Sequence, residues 1–158
     1  MSRQLRIVTL ALVVIVISVV AIRPLLPVVS ENFSELGILG PNKTIGDYPR
    51  VVAANQSFLL YGLIGNHEGI VQNYQMLVKL GNQTTEVSNT TFANAQLLAT
   101  YWRILGNGET WLFPMNLTIA NAGINLRLIF ELWSYDPSAS SFAYKGLWNQ
   151  VWLNVTLV

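Results

Sequence analysis

The segment TWLFPMNLTIA, residues 110–120, puts Trp111, Phe113, Met115, Leu117 and Ile119 on one side of an extended chain. Leu112, Pro114, Asn116 and Thr118 fall on the other side. A period of two marks a strand with one face in a core and one in solvent. It returns in VWLNVTLV, residues 151–158, with Val151, Leu153, Val155 and Leu157 inward and Trp152, Asn154 and Thr156 outward. NYQMLVKLG turns Tyr74, Met76, Val78 and Leu80 inward. INLRLIFELW turns Ile124, Leu126, Leu128, Phe130 and Leu132 inward, and Asn125, Arg127 and Glu131 outward. With SELGILG, RVVA, QSFLLYGLIG and ATYWRIL this gives seven or eight strands, separated by GPN, GNHEG, GNQT, GNGE, NAG and DPSAS. NTTFANAQLLAT, residues 89–100, is the one stretch that reads as a short helix. The expected fold is all-β, an immunoglobulin-like β-sandwich.

Ahead of these strands stands a different pattern. IVTLALVVIVISVVAI, residues 7–22, is sixteen residues with no charge, Pro or Gly, bracketed by Arg6 and Arg23. About 17–25 apolar residues cross a bilayer as a helix, and arginine stems can reach back to the headgroups. A core helix apolar on every face would need partner surface on all sides. Residues 1–23 are therefore expected to be one N-terminal transmembrane helix, kept as an anchor in preference to a signal peptide cut after Ser30. Arg3 and Arg6 hold the N-terminus in the cytoplasm, so everything after Arg23 faces out. The expected localisation is the cell membrane, single-pass, with the C-terminal domain extracellular. PLLPVVSENFS, residues 24–34, has two prolines and no period, and reads as a stalk. Residues 35–158 form the extracytoplasmic domain.

Only 11% of residues are charged, against about 25% in an ordinary domain. Beyond residue 23 there are six Lys/Arg and eight Asp/Glu and no basic patch, which argues against nucleic acid as a partner. Sparse charge invites aggregation, so something else must keep the surface wet. The sequence supplies a candidate: N-x-S/T occurs seven times, at Asn32, Asn42, Asn55, Asn82, Asn89, Asn116 and Asn154. Fourteen Asn, with Ser and Thr at about one residue in eight, would give roughly two by chance. The excess points to covalent N-glycans on an archaeal or eukaryotic envelope protein. Asn116 and Asn154 lie on outward strand faces, and Asn55, Asn82 and Asn89 in expected turns. Cysteine is absent, so no disulfide holds the domain.

His67, the only histidine, sits with Asn66 and Glu68 in GNHEG, between FLLYGLI and IVQNYQMLV. A Gly-bounded polar segment between two strands is a hairpin or inter-sheet turn. A metal needs three or four ligands and a general base needs a nucleophile and an orienting group. Neither is marked, so no metal, cofactor or enzymatic activity is expected, and Asn66, His67 and Glu68 are read as a turn or interface. Trp133 and Trp152 fall on outward faces, where they suit an interface with a protein or a stacking platform for carbohydrate.

FSELGILGPNKTIGDYPRVVAANQSFLLYGLIGNHEGIVQNYQMLVKLG, GETWLFPMNLTIANAGINLRLIFELW and YKGLWNQVWLNVTL together resemble the archaeal family catalogued as domain of unknown function 1616. Its pattern F-x-E-x-x-I-L-G-P, then Y-P, N-H-E and N-Y, is met here by Phe33, Glu35, Ile38, Leu39, Gly40, Pro41, Tyr48, Pro49, Asn66, His67, Glu68, Asn73 and Tyr74. The resemblance implies an immunoglobulin-like extracytoplasmic domain and no particular activity. The function classes that follow are a structural or protein-interaction component of the envelope, such as a surface component or an accessory subunit of a membrane complex. Two alternatives are a secreted filament subunit adding ENFSELGILG as a strand to a neighbour, and a carbohydrate-binding adhesion module.

Overall fold

The computed structural model describes residues 31–157. The expected transmembrane helix and the stalk up to Ser30 lie outside the described residues. Among those described, no helix is long and apolar enough to cross a membrane. Eight strands are formed: β1 Phe33–Leu39, β2 Val51–Ala53, β3 Ser57–His67, β4 Gln72–Gly81, β5 Gln96–Leu105, β6 Thr110–Thr118, β7 Gly123–Asp136 and β8 Ser141–Thr156. β1 thus begins inside the stretch read as stalk. The strands make two sheets, β1-β3-β6 and β2-β8-β7-β4-β5. All pairings are antiparallel except β2 with β8. β4–β5 and β7–β8 are hairpins, while β3–β4 and β5–β6 cross from one sheet to the other.

The period-two sets meet between the sheets. Leu60, Ile64, Met115 and Leu117 from the small sheet face Tyr74, Met76, Val78, Leu128, Phe130, Leu132, Val151 and Leu153 from the large one, all buried. Each such side chain taken out of water contributes about 1.5–3 kcal/mol. The facing is tight enough to require a glycine. A Cβ on Gly62 would stand 2.5 Å from Cζ of Phe113, whose ring lies across the β3 backbone and stacks on Trp111 at 3.8 Å.

Four expectations change in the structure. Residues 89–100 hold no helix: Gln96 onward is β5, in register with β4 from Leu80 to Gln72. Pairing along a ten-residue strand outweighs the mild helix preference of Ala, Gln and Leu. Ile124 is 80% exposed, because the β7–β8 register shifts between Gly123 and Leu126, where Asn125 takes φ 52°. Such a bulge turns the side chain before it away from the core. Leu157 lies past the end of β8 and is exposed. Glu131 does sit on the outer face of its sheet, yet it is completely buried; the connection Asn82–Ala95 folds back over it.

Candidate functional site

Of GNHEG, Gly65, Asn66 and His67 complete β3 in register with β1, so Asn66 and His67 are strand residues. Only Glu68 and Gly69 belong to the β3–β4 crossing, which joins the two sheets and is not a hairpin. Asn66 at the end of β3 is fully buried. Its Nδ2 donates to the carbonyls of Ile70 (2.8 Å) and Leu105 (2.9 Å), and its Oδ1 accepts from the Glu68 amide and the Tyr74 hydroxyl. Its backbone amide and carbonyl pair with Glu109 and Gly108 in the β5–β6 turn. One residue thus ties the end of β3, in the small sheet, to the crossing itself, to the paired strands β4 and β5 of the large sheet, and to the β5–β6 turn. Glu68 closes the ring: its Oε1 accepts from Ser34 Oγ at 2.6 Å and from Lys145 Nζ at 2.7 Å. These two donors hold the Glu68 carboxyl below the usual carboxylate range, the lysine hydrogen bond first and the serine second, against a smaller desolvation effect. The Tyr74 hydroxyl shares its one proton between Asn66 Oδ1 and Ser34 Oγ, 2.8 Å away, whose own proton goes to Glu68, and burial pushes the phenol up. His67 points outward, stacks on Phe33 at 4.6 Å and lies 3.6 Å from the Glu35 carboxylate. Ser34, Asn66, Glu68 and Tyr74 are thus all engaged with protein partners, and none is left as an exposed nucleophile beside a base. Among the described residues no group of three or more His, Asp or Glu is placed to hold a metal ion.

A second polar cluster lies on the outer face of the large sheet. Lys79 and Glu131, both nearly or fully buried, are 2.8 Å apart. Lys79 also donates to the Ala93 carbonyl, and the Ala93 amide donates to Glu131. Trp133 Nε1 adds a third donor to Glu131. Above the pair, Phe92 packs on Trp133 and Tyr144 at 5.2 and 6.4 Å. Burial first, and Glu131 second, push the Tyr144 phenol up to about 12. Nothing in the alternation announces this strap; the only sign in the sequence is a lysine and a glutamate at outward positions on neighbouring strands. Trp152, half-exposed, and Trp148 hold the Arg127 guanidinium, which is 5.4 Å from each ring.

The small sheet has an outer face of unusual composition. One strand-to-strand row reads Gly37, Leu63, Leu112 and the next Leu39, Tyr61, Pro114. Leu59, opposite Asn116, extends it at one end; at the other the row Glu35, Gly65, Thr110 separates it from Phe33. Leu112 is 44% exposed and Phe33 46%. An antiparallel sheet packed on one side ordinarily shows polar residues on the other.

The sequons distribute unevenly. Asn32, Asn42, Asn55, Asn82, Asn89 and Asn116 are exposed, whereas Asn154 is half-buried and its Oδ1 accepts from the Asn125 amide. Asn42, Asn55, Asn82, Asn116 and Asn154 all lie toward the end of the sandwich opposite the GNHEG crossing.

Comparison with known proteins bears on both fold and family. The CARDB domain of a Pyrococcus furiosus protein, solved in complex with di-metal ions, superimposes with a TM-score of 0.50 at 16% identity, over 80% of this chain and 96% of that one. At that identity the likeness shows the fold, a CARDB-type immunoglobulin-like sandwich. A β-glucosidase from Listeria innocua in complex with glucose matches at TM-score 0.48 and 15% identity, over 80% of this chain and only 16% of that one. The PmoD soluble domain from Methylocystis matches at TM-score 0.41 and 12% identity, over 80% and 94% of the two chains. No curated protein matches the sequence. The profile described as domain of unknown function (DUF1616) matches residues 27–152, which takes in almost all of both sheets. With the F-x-E-x-x-I-L-G-P opening laid along β1, and Asn66, Glu68 and Tyr74 of the later motifs joined in one node, the chain belongs to the DUF1616 family.

Proposed function

We propose that this protein is a membrane-anchored, N-glycosylated component of an archaeal cell envelope whose sandwich binds another protein, as a surface component or an accessory subunit of a membrane complex, without catalysis of its own. The observation that carries the reading is the outer face of the β1-β3-β6 sheet. Leu59, Leu63, Leu112, Tyr61 and Pro114 form a contiguous apolar strip where solvent would favour polar side chains. Contiguous apolar surface on an isolated domain marks an interaction site, and aromatic and aliphatic anchors inside a polar rim are what protein interfaces use. Lys43 over Tyr61, and Asn116 beside Leu59, supply that rim. The apolar run Ile7–Ile22 and the seven sequons support the anchor and the sugar coat.

The carbohydrate-binding alternative draws less support. Trp148 and Trp152 each give a ring face to Arg127, and Trp133 is packed under Phe92, whereas Trp102 offers an open indole at 66% exposure. A single platform is a weak basis for stacking a sugar chain.

The test uses full-length protein purified from native membranes in mild detergent, with co-purifying proteins identified by mass spectrometry. Leu112→Arg, at an exposed position, is expected to leave the fold and the yield unchanged and to remove one specific co-purifying protein. Retention of every partner by this variant, and by Leu63→Asp, would overturn the reading.

A further inference from the structure

One end of the sandwich is formed by the β3–β4 crossing, the β5–β6 turn and the β7–β8 turn, and at this end the chain enters the domain at Asn32 and Phe33. Its tip carries two adjacent aliphatic residues, Ile70 and Val71, 62% and 66% exposed. With Ile104, Tyr135 and Pro137, and with Gln72 and Asn73 between them, they line an open and mostly apolar cleft of about 290 Å³. Trp102, 66% exposed, stands two residues along β5 from Ile104. No cluster of cations stands at this end among the described residues. Lys145 is paired with Glu68, His67 sits against Glu35, and the Arg103 guanidinium lies over the Trp111 ring.

Three features select one occupant. The nine residues Arg23–Glu31 separate the apolar run from the domain, and even fully extended they span only about 30 Å. So short a tether holds the adjoining end of the domain at an effective concentration in the millimolar range against whatever the run is embedded in. Five of the seven sequons lie toward the opposite end, where sugar would not intervene. The exposed residue types are aliphatic at the tip and aromatic behind it, the order found on crossing from lipid tails to headgroups.

We infer that this pole lies on the bilayer, with Ile70 and Val71 reaching past the headgroups of an electrically neutral lipid surface to the edge of its acyl chains and Tyr135 and Trp102 at the headgroup level. The inference rests on the proposed membrane anchor and adds a fixed orientation: the apolar strip of the small sheet then stands upright from the membrane, and the Asn42, Asn55 and Asn82 end faces away from it.

The absence of cysteine allows a clean test. Full-length Ile70→Cys and Ile45→Cys variants, at residues 62% and 84% exposed on opposite ends, are spin-labelled and reconstituted in phosphatidylcholine vesicles. Flotation first checks the anchor. Power saturation then compares relaxation by oxygen, which partitions into lipid, with that by a water-soluble nickel chelate. The Ile70 label is expected to show an oxygen-to-nickel accessibility ratio severalfold above that of the Ile45 label. Equal, water-like ratios in floating vesicles would overturn the proposal and leave the anchor standing. Exclusion of both relaxing agents from the Ile70 label would overturn it in favour of a protein contact. Failure to float would remove the anchor and the orientation together.

Discussion

Glu131 and Lys79 are charged side chains placed where alternation alone would call for solvent, and both lie under the strap. A buried ion pair contributes little relative to a well-packed apolar pair of the same volume, but half of one is costly. Glu131→Ala strands the Lys79 ammonium and leaves the Ala93 amide and Trp133 Nε1 without their acceptor. It is expected to cost about 3–5 kcal/mol, read from urea unfolding. The double change Lys79→Met, Glu131→Leu strands no charge and should cost less, retaining only the loss at the Ala93 backbone and Trp133 Nε1. Equal losses in the two would mean that the pair does not act as a unit. Glu68 gives a different test, because its carboxyl is held below the ordinary range by Lys145 and Ser34. A carboxylate with a lowered native pKa contributes stability above its unfolded value, about 4.3, and loses it as the pH falls through the native value. The stability advantage of the wild type over Glu68→Gln should therefore be constant near neutrality and shrink in the acid range below about pH 4. A gap independent of pH down to about 2 would sink this account.

At the scale of elements, the informative piece is the Asn82–Ala95 strap. It has no regular structure, yet Lys79, Glu131, Arg127 and Tyr144 each reach up and hold it by a backbone carbonyl or amide. Its seat on β8 depends on Gly146, which takes φ 72° and comes so near Asn89 that a Cβ would stand 2.4 Å from the Asn89 carbonyl oxygen. Gly146→Ala meets both penalties, the left-handed backbone and the collision, each of order 1 kcal/mol or more. The expected result is faster hydrogen exchange at the Ala93 amide with the β7–β8 ladder still protected. Loss of protection throughout the sheet would show that strap and sheet are one cooperative unit. The GNHEG crossing works in the same way at the other end, where the Asn66 side chain stands in for the missing ladder between sheets.

For the whole molecule, the sugar coat and the orientation can be checked together by glycopeptide mapping of native protein. Asn42, Asn55, Asn82, Asn89 and Asn116 are exposed and should be occupied. Asn154 should be occupied less, since its amide is half-buried and engaged with Asn125. Asn32, at the pole assigned to the bilayer, should be the poorest site. Full occupancy at Asn32 and Asn154 with bare sites elsewhere would contradict this arrangement.

The strands were legible from residues alone wherever one face is buried and the other wet, as in β6 and in β8 from Val151 onward. There the period of two is imposed by the partition of side chains between core and water. The glycines around Asn66 and the apolar runs on both sides placed a break between two strands there, but the strand runs on through Asn66 and His67 before the chain crosses at Glu68. Three things were decided only in three dimensions. Which sheet each strand joins depends on pairings between segments far apart in the chain, so β3 and β4 parted company across what could have been a hairpin. Glu131 became buried because a remote loop covers it, and covering leaves no period in the strand that is covered. Asn66 became the tie between four segments because its neighbours' unpaired backbone groups converge there, and convergence is a property of the fold.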